Sequence, residues 1–142
     1  MATEVTLRLE KYHELARAWG GECEVISVPC PGLAARIERG DLGAPDLSEM
    51  IRGFVGPYAG AVDAVVLGCT HYPFVRRQIA DVLGPEARFF DGGAGTARQL
   101  RARLAEEGLL AREARPGHVT FASSLDTPEE IALYERFFSI PL

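Results

Sequence analysis

The sequence predicts an α/β fold in which an open, mostly parallel sheet is flanked by helices. Short apolar runs at 24–28, 63–67 and 87–90 alternate with stretches whose apolar residues recur at helical spacing. The run 63–67 is of the β-branched kind that fills the middle of a parallel sheet. Glycine and proline punctuate the boundaries at Gly20-Gly21, Gly84-Pro85 and Gly108.

From the amino end, Leu9, Tyr12, Ala16 and Trp19 share one face of an amphipathic helix over 6–19, with Thr3 to Thr6 at its start. Cys23 opens the strand 24–28 and reads as core. A short helix over 32–39, a loop over 40–45 and a second helix over 47–58 follow, the last weakened by Gly53. Because this order opens on a helix with no strand before it, the parallel unit looks cut.

After strand 63–67, Gly68 lets the backbone turn sharply outward and Pro73 suits the first turn of a helix over 73–83. Strand 87–90 leads into Asp91-Gly92-Gly93, which reads as a turn rather than a phosphate cradle. Ala97, Leu100 and Leu104 line a helix over 96–107 that stops at Gly108. A polar linker at 112–117 and a strand at 118–122 come next, with His118 facing solvent. Thr127-Pro128-Glu129-Glu130 is a capping box for a helix to about Phe138, with Ile131, Tyr134 and Phe138 as its core stripe.

The composition is that of an ordinary globular chain: 142 residues, 47% hydrophobic and 25% charged, so disorder is not expected. A net charge of −5 without a basic cluster argues against a nucleic-acid partner. No run is long and apolar enough for a bilayer and no signal pattern opens the chain, so a cytoplasmic location is expected. Three cysteines, at 23, 30 and 69, suit free thiols better than a disulfide scaffold. Their spacing with the histidines offers no metal site.

The chemistry concentrates in Leu67-Gly68-Cys69-Thr70-His71-Tyr72-Pro73. Ligands of parallel sheets bind beyond the carboxyl ends of the strands, so Cys69, Thr70 and His71 would face a crevice. A strand-to-helix turn lowers a thiol's pKa through backbone N–H groups and the helix dipole. His71, two residues on, leaves the same side of an extended segment as Cys69. Cys69 is thus a candidate base or nucleophile, and His71 its partner or a contact to a substrate carboxylate. Against this stands the plainer reading of a small buried hydrophobe beside a satisfied loop histidine. Strand, glycine and helix start around the pair favour function.

That heptapeptide resembles the second cysteine motif of the glutamate racemases, within the aspartate/glutamate racemase family. Aspartate racemases usually carry a glutamate where this chain has His71, so the histidine favours the glutamate branch. Val28-Pro29-Cys30-Pro31 with Ile37-Glu38-Arg39-Gly40 resembles the family's cysteine-proline segment, and Thr3-Glu4-Val5-Thr6 its threonine-x-x-threonine turn. The resemblance spans essentially the whole chain but only the later half of the family's length. Neither the aspartate-serine-glycine start nor the cysteine-asparagine-threonine motif of the family's amino-terminal half occurs here.

The resemblance implies cofactor-independent interconversion of L- and D-glutamate, with D-glutamate destined for bacterial peptidoglycan. Cys69 would serve one face of the substrate α-carbon. His71, steadied by Glu38, would assist it, and Thr70, Thr3 and Thr6 would bind substrate. The family organisation implies a racemase-type domain at 1–85 and a carboxy-terminal segment at 86–142. In the family that segment packs on an amino-terminal domain, so a homo-oligomer or association with such a domain is expected. Two other readings are a non-catalytic half-enzyme and, from the Cys69–His71 pair, a thiol-dependent hydrolase.

Overall fold

A computed structural model of the chain describes residues 1–111, 116–125 and 127–141. They fall into two compact units, Met1–Asp91 and Gly92–Pro141. The first runs past the expected boundary at residue 85 because the strand that follows it pairs back into this unit's sheet.

In the first unit, α1 (Glu4–Arg8) and α2 (Glu10–Trp19) lead to α3 (Leu33–Glu38) and α4 (Pro45–Val55). A single 3-10 turn, Gly56–Tyr58, precedes β1 (Ala64–Val66). Then come a 3-10 segment Tyr72–Val75, α5 (Arg76–Leu83) and β2 (Arg88–Phe90). The two strands are parallel, with Ala64 opposite Arg88 and Val66 opposite Phe90. The sheet is open, in keeping with the sequence expectation.

Two further segments extend this sheet by single rungs. The Ala2 N–H donates to the Val28 carbonyl at 3.1 Å and the Cys30 N–H to the Ala2 carbonyl at 3.0 Å. On the other side the Met1 ammonium donates to the Val66 carbonyl at 3.0 Å, and the Gly68 N–H to the Met1 carbonyl at 2.9 Å. Residues 1–2 therefore lie between residues 28–30 and the end of β1, and all these segments run parallel. Burial pushes the Met1 ammonium below its ordinary pKa.

The core lies on one face of this sheet. Val65 and Leu67 point into it, against Leu33 and Ile37 of α3, Leu47, Ile51 and Val55 of α4, and Ile79 and Leu83 of α5, all buried. Spacings of four along α4 put its three core residues on one stripe, and Gly53 falls off that stripe in open space. The strand's period of two sends Ala64 and Val66 to the opposite face, where Val66 is 62% exposed.

Several expectations are corrected here. The helix anticipated over 6–19 starts at Glu4 and breaks at Leu9, whose ψ of 132° is extended. Its stripe is not core: α2 buries no residue, and Trp19 is 84% exposed. Among the described residues, 24–28 form no ladder; the bridge there is from Pro29 to Ala2. Val25 and Ile26 are accordingly exposed, and so is Cys23. The helix expected over 73–83 spends its first turn as a 3-10 segment before α5 begins.

In the second unit, α6 (Gly93–Glu106) begins inside the segment read as a turn, three residues earlier than expected. Residues 118–122 form no strand with the described residues, contrary to the expectation, and the anticipated linker falls largely at 112–115, outside them. The capping box holds: Thr127 Oγ1 accepts the Glu130 N–H at 3.3 Å and starts α7 (Pro128–Phe138). Phe121 packs against Tyr134 and Phe138, but neither α6 nor α7 buries a residue: Leu104, Ile131 and Tyr134 are partly covered, while Ala97, Leu100 and Phe138 are exposed, so these stripes are not core.

Candidate functional site

Parallel strands exit at one edge of a sheet. Residues 3, 30–31, 68–71 and 91 each follow directly on one of the parallel segments, so they gather at the carboxyl edge of the first unit. The chain leaves β1 through Leu67, whose N–H still donates to the Phe90 carbonyl at 2.8 Å, and through Gly68. A Cβ on Gly68 would stand 2.9 Å from the Met1 carbonyl oxygen. Its φ is not positive, so the glycine serves close approach of two backbones rather than the sharp turn expected of it.

Beyond it, Cys69, Thr70 and His71 form a half-turn that the Cys69 carbonyl closes by accepting the Tyr72 N–H at 3.2 Å. Tyr72 is the anchor. It is fully buried, and its hydroxyl donates to the Cys30 carbonyl at 3.5 Å. With the tyrosine ring held in the core, the three preceding side chains face outward. The same burial holds the Tyr72 phenol far above its ordinary pKa.

His71 is the hub of the half-turn. Its Nδ1 is 3.7 Å from the Cys69 Sγ and 3.5 Å from the Thr70 Oγ1, and its Nε2 is 2.8 Å from the Glu38 Oε1. The imidazole is 30% exposed and the carboxylate 60%. An ionised carboxylate only accepts, so the proton of this contact sits on Nε2. In the neutral ring Nδ1 is then an acceptor turned to the thiol. That arrangement can take a proton from Cys69 and return it.

Glu38 is the last residue of α3, where the helix dipole disfavours negative charge. The dipole therefore gives no reason for a carboxylate at this end of the helix. Its hydrogen bond is made across the fold, to His71.

Thr3 caps α1: its Oγ1 accepts the Thr6 N–H at 3.2 Å and lies 2.9 Å from the Thr6 Oγ1. The two hydroxyls thus form one polar pair at the sheet's carboxyl edge. The other cysteines are placed otherwise. Cys30 is buried, its Sγ donates to the Val28 carbonyl at 3.5 Å, and burial pushes its thiol up. Cys23 is exposed and lies beyond α2. Among the described residues no three His, Cys, Asp or Glu side chains converge as metal ligands would.

Two residues that sequence reasoning passed over support the site from below. Arg36, buried in α3, donates from Nε and Nη2 to the two carboxylate oxygens of Asp46, each at 2.7 Å, and from Nη1 to the Asp41 carbonyl at 3.2 Å. The guanidinium holds the Asp46 carboxyl down at about 2. An arginine between Leu33 and Ile37 on the core side of a helix demands such a partner, and that demand was readable in the sequence.

The fold and this edge define an open α/β domain that presents a cysteine, a threonine and a histidine in the loop leaving its first strand. No family profile matches the chain. Individual relatives do. A glutamate racemase of Clostridium perfringens is 38% identical over 141 residues, 99% of this chain and 54% of its own length. One of Methylococcus capsulatus is 43% identical over 133 residues, 93% of this chain and 48% of its own. Among solved structures, the glutamate racemase of Francisella tularensis in complex with D-glutamate superposes with a TM-score of 0.77 at 25% identity, covering 99% of this chain and 53% of that one. The Escherichia coli glutamate racemase with L-glutamate and an activator gives 0.68 at 26%, covering 95% and 53%. The chain belongs to the glutamate racemase family. It spans about half the length of the curated relatives it matches.

Proposed function

We propose that this chain contributes one half of a cofactor-independent glutamate racemase site, with Cys69 as the acid–base group on one face of the substrate α-carbon. The observation that carries the reading is the relay from Cys69 Sγ through His71 to Glu38, at 3.7 and 2.8 Å. As a thiolate, Cys69 takes the α-proton. The planar carbanion then receives a proton on its other face, and the configuration inverts. His71 carries a proton between the thiol and solvent while Glu38 fixes its tautomer. Thr70, Thr3 and Thr6 supply hydroxyl donors for the substrate carboxylates.

The opposite face needs a second acid. Neither remaining cysteine suits it: Cys30 is buried, engaged with a carbonyl and raised in pKa, and Cys23 lies on the exposed chain beyond α2. The second acid comes from the part of the relatives' length that this chain does not span, joined here as another polypeptide or domain. Exposed Val66 and Phe90, on the sheet face opposite the core, are consistent with a surface that such a partner covers. By analogy with the family, the product D-glutamate serves peptidoglycan synthesis in the cytoplasm.

Exchange of the substrate α-proton in heavy water, followed by NMR, tests this. The chain by itself should wash deuterium into one enantiomer at most and should not interconvert the two. The amino-terminal half of a relative added in trans should raise both activities, and Cys69→Ser should abolish them. Interconversion that persists in Cys69→Ser would overturn the assignment. So would hydrolase activity without exchange, which would favour a thiol hydrolase.

A further inference from the structure

We propose that Arg36 is a positioning residue for the Glu38–His71 pair. This rests on the reading of that pair given above and adds to it the device that holds Glu38 in place. Glu38 ends a helix of only six residues, with Arg39 at its carboxy-terminal cap and Gly40 in a left-handed turn at φ 77°. Such an end frays readily. A carboxylate there is mobile unless the turn after it is fastened.

Arg36 fastens it on both sides. Its Nη1 reaches forward across the turn to the Asp41 carbonyl, so residues 37–40 are enclosed by that bond. Its fork grips Asp46 in the first turn of α4, which ties the end of α3 to a helix packed in the core. The loop between them is held at a second point, where Gln78 of α5 donates to the Leu42 carbonyl at 2.8 Å. The guanidinium is itself buried, so it has little freedom to let go.

Position 36 is also specific. In an α-helix, residues 33, 36 and 37 share a face, and here Leu33 and Ile37 are fully buried in the core. A methionine or leucine would fill the same space without asking for a partner. Packing alone therefore does not call for arginine, whereas bracketing Glu38 does. Among the described residues, the groups within hydrogen-bonding reach of the His71 ring are Glu38, Cys69 and Thr70. Of these, only Glu38 lies on the element that Arg36 controls.

The signature to measure is the His71 Nε2–H proton in the full chain, by imidazole nitrogen–proton NMR, with His13 and His118 as internal references. In the native protein, His71 should be held as the Nε2–H tautomer with a slowly exchanging proton. Arg36→Met, folded by circular dichroism, should lose at least half of that signal and show mixed tautomers. Asp46→Asn keeps Arg36 in its packing and should produce the same loss more weakly, so the proposal stays testable should Arg36→Met not fold. Val55→Ala, chosen as a core variant of lowered stability away from the clamp, should leave the signal intact. A folded Arg36→Met or an Asp46→Asn with an unchanged Nε2–H signal would overturn the positioning role. Glu38→Leu, which removes the acceptor, separates the two readings: if it too leaves the signal unchanged, the Glu38–His71 pair itself fails, not only the clamp.

Discussion

Gly68 is where stability and site geometry meet most closely, and Gly68→Ala tests both. The added methyl would sit 2.9 Å from the Met1 carbonyl oxygen and 3.2 Å from the Ala2 Cβ. The first contact is with backbone, which cannot rotate away, so residues 1–2 must move outward by roughly half an ångström. Overpacking of this kind costs about 1–3 kcal/mol. Loss of glycine's freedom in the unfolded chain returns about 0.4–1 kcal/mol, so repulsion wins and a net loss of about 1–2 kcal/mol is expected. With a urea m-value of about 1.5 kcal/mol/M, that moves the midpoint down by roughly 1 M. The strain also falls on the Gly68 N–H to Met1 carbonyl bond and so on the chain entering Thr3. Hydrogen exchange should therefore accelerate at Gly68, Ala2 and Cys30 before it does so in α4. An alanine variant with the parent's midpoint and unchanged protection at these amides would refute the close-approach argument and return Gly68 to a turn residue.

Other outcomes follow from the same geometry. Tyr72→Phe should cost less than about 1 kcal/mol, because a 3.5 Å bond contributes little, whereas Tyr72→Ala should cost about 3–5 kcal/mol by emptying the core beneath the motif; urea melts distinguish them. Cys30, buried and raised in pKa, should be alkylated only as fast as the unit opens, with Cys23 and Cys69 labelled first; mass mapping at limiting reagent reads the order. Asp46 titrates near 2 in the fold against an ordinary 3.8, so its contribution to stability is present above about pH 4 and is lost as pH falls toward 2. Asp46→Asn should flatten that part of an acid-unfolding profile, and an unchanged profile would show that the Arg36 pair does not set it.

How much of this was legible in the sequence depends on whether the determining contact is local or remote. The Thr127 cap, the Gly84 stop and the apolar runs that became β1 and β2 are set within a few residues, and the structure has them where the pattern put them. The run 24–28 has the same β-branched composition, yet a strand exists only beside another strand. Among the described residues its neighbour is the segment Met1–Ala2, which it meets in a bridge from Ala2 to Pro29 rather than in a ladder. Likewise α2 has the right periodicity, yet it buries no residue among the described part of the chain. At the candidate site, the motif singled out Cys69, Thr70 and His71 by their order after a strand. It took coordinates to show that Nε2 rather than Nδ1 faces Glu38, and that Arg36 reaches Asp46 ten residues away.

The position of Glu38 carries the argument one step further. Carboxylates settle at helix N-termini, where the dipole favours them and free N–H groups await them. Glu38 stands at the other end, half exposed, on a short helix whose carboxy-terminal turn is fastened by a buried arginine. The helix dipole does not explain that choice. The neighbour that gains from it is His71, which is fixed by the carboxylate with its Nδ1 turned toward the thiol at 3.7 Å. A merely structural histidine at a loop needs one hydrogen bond and could find it in a nearby carbonyl. Here the partner is a carboxylate from another element, 2.8 Å from Nε2, and that is the orientation the proposed proton-transfer role needs.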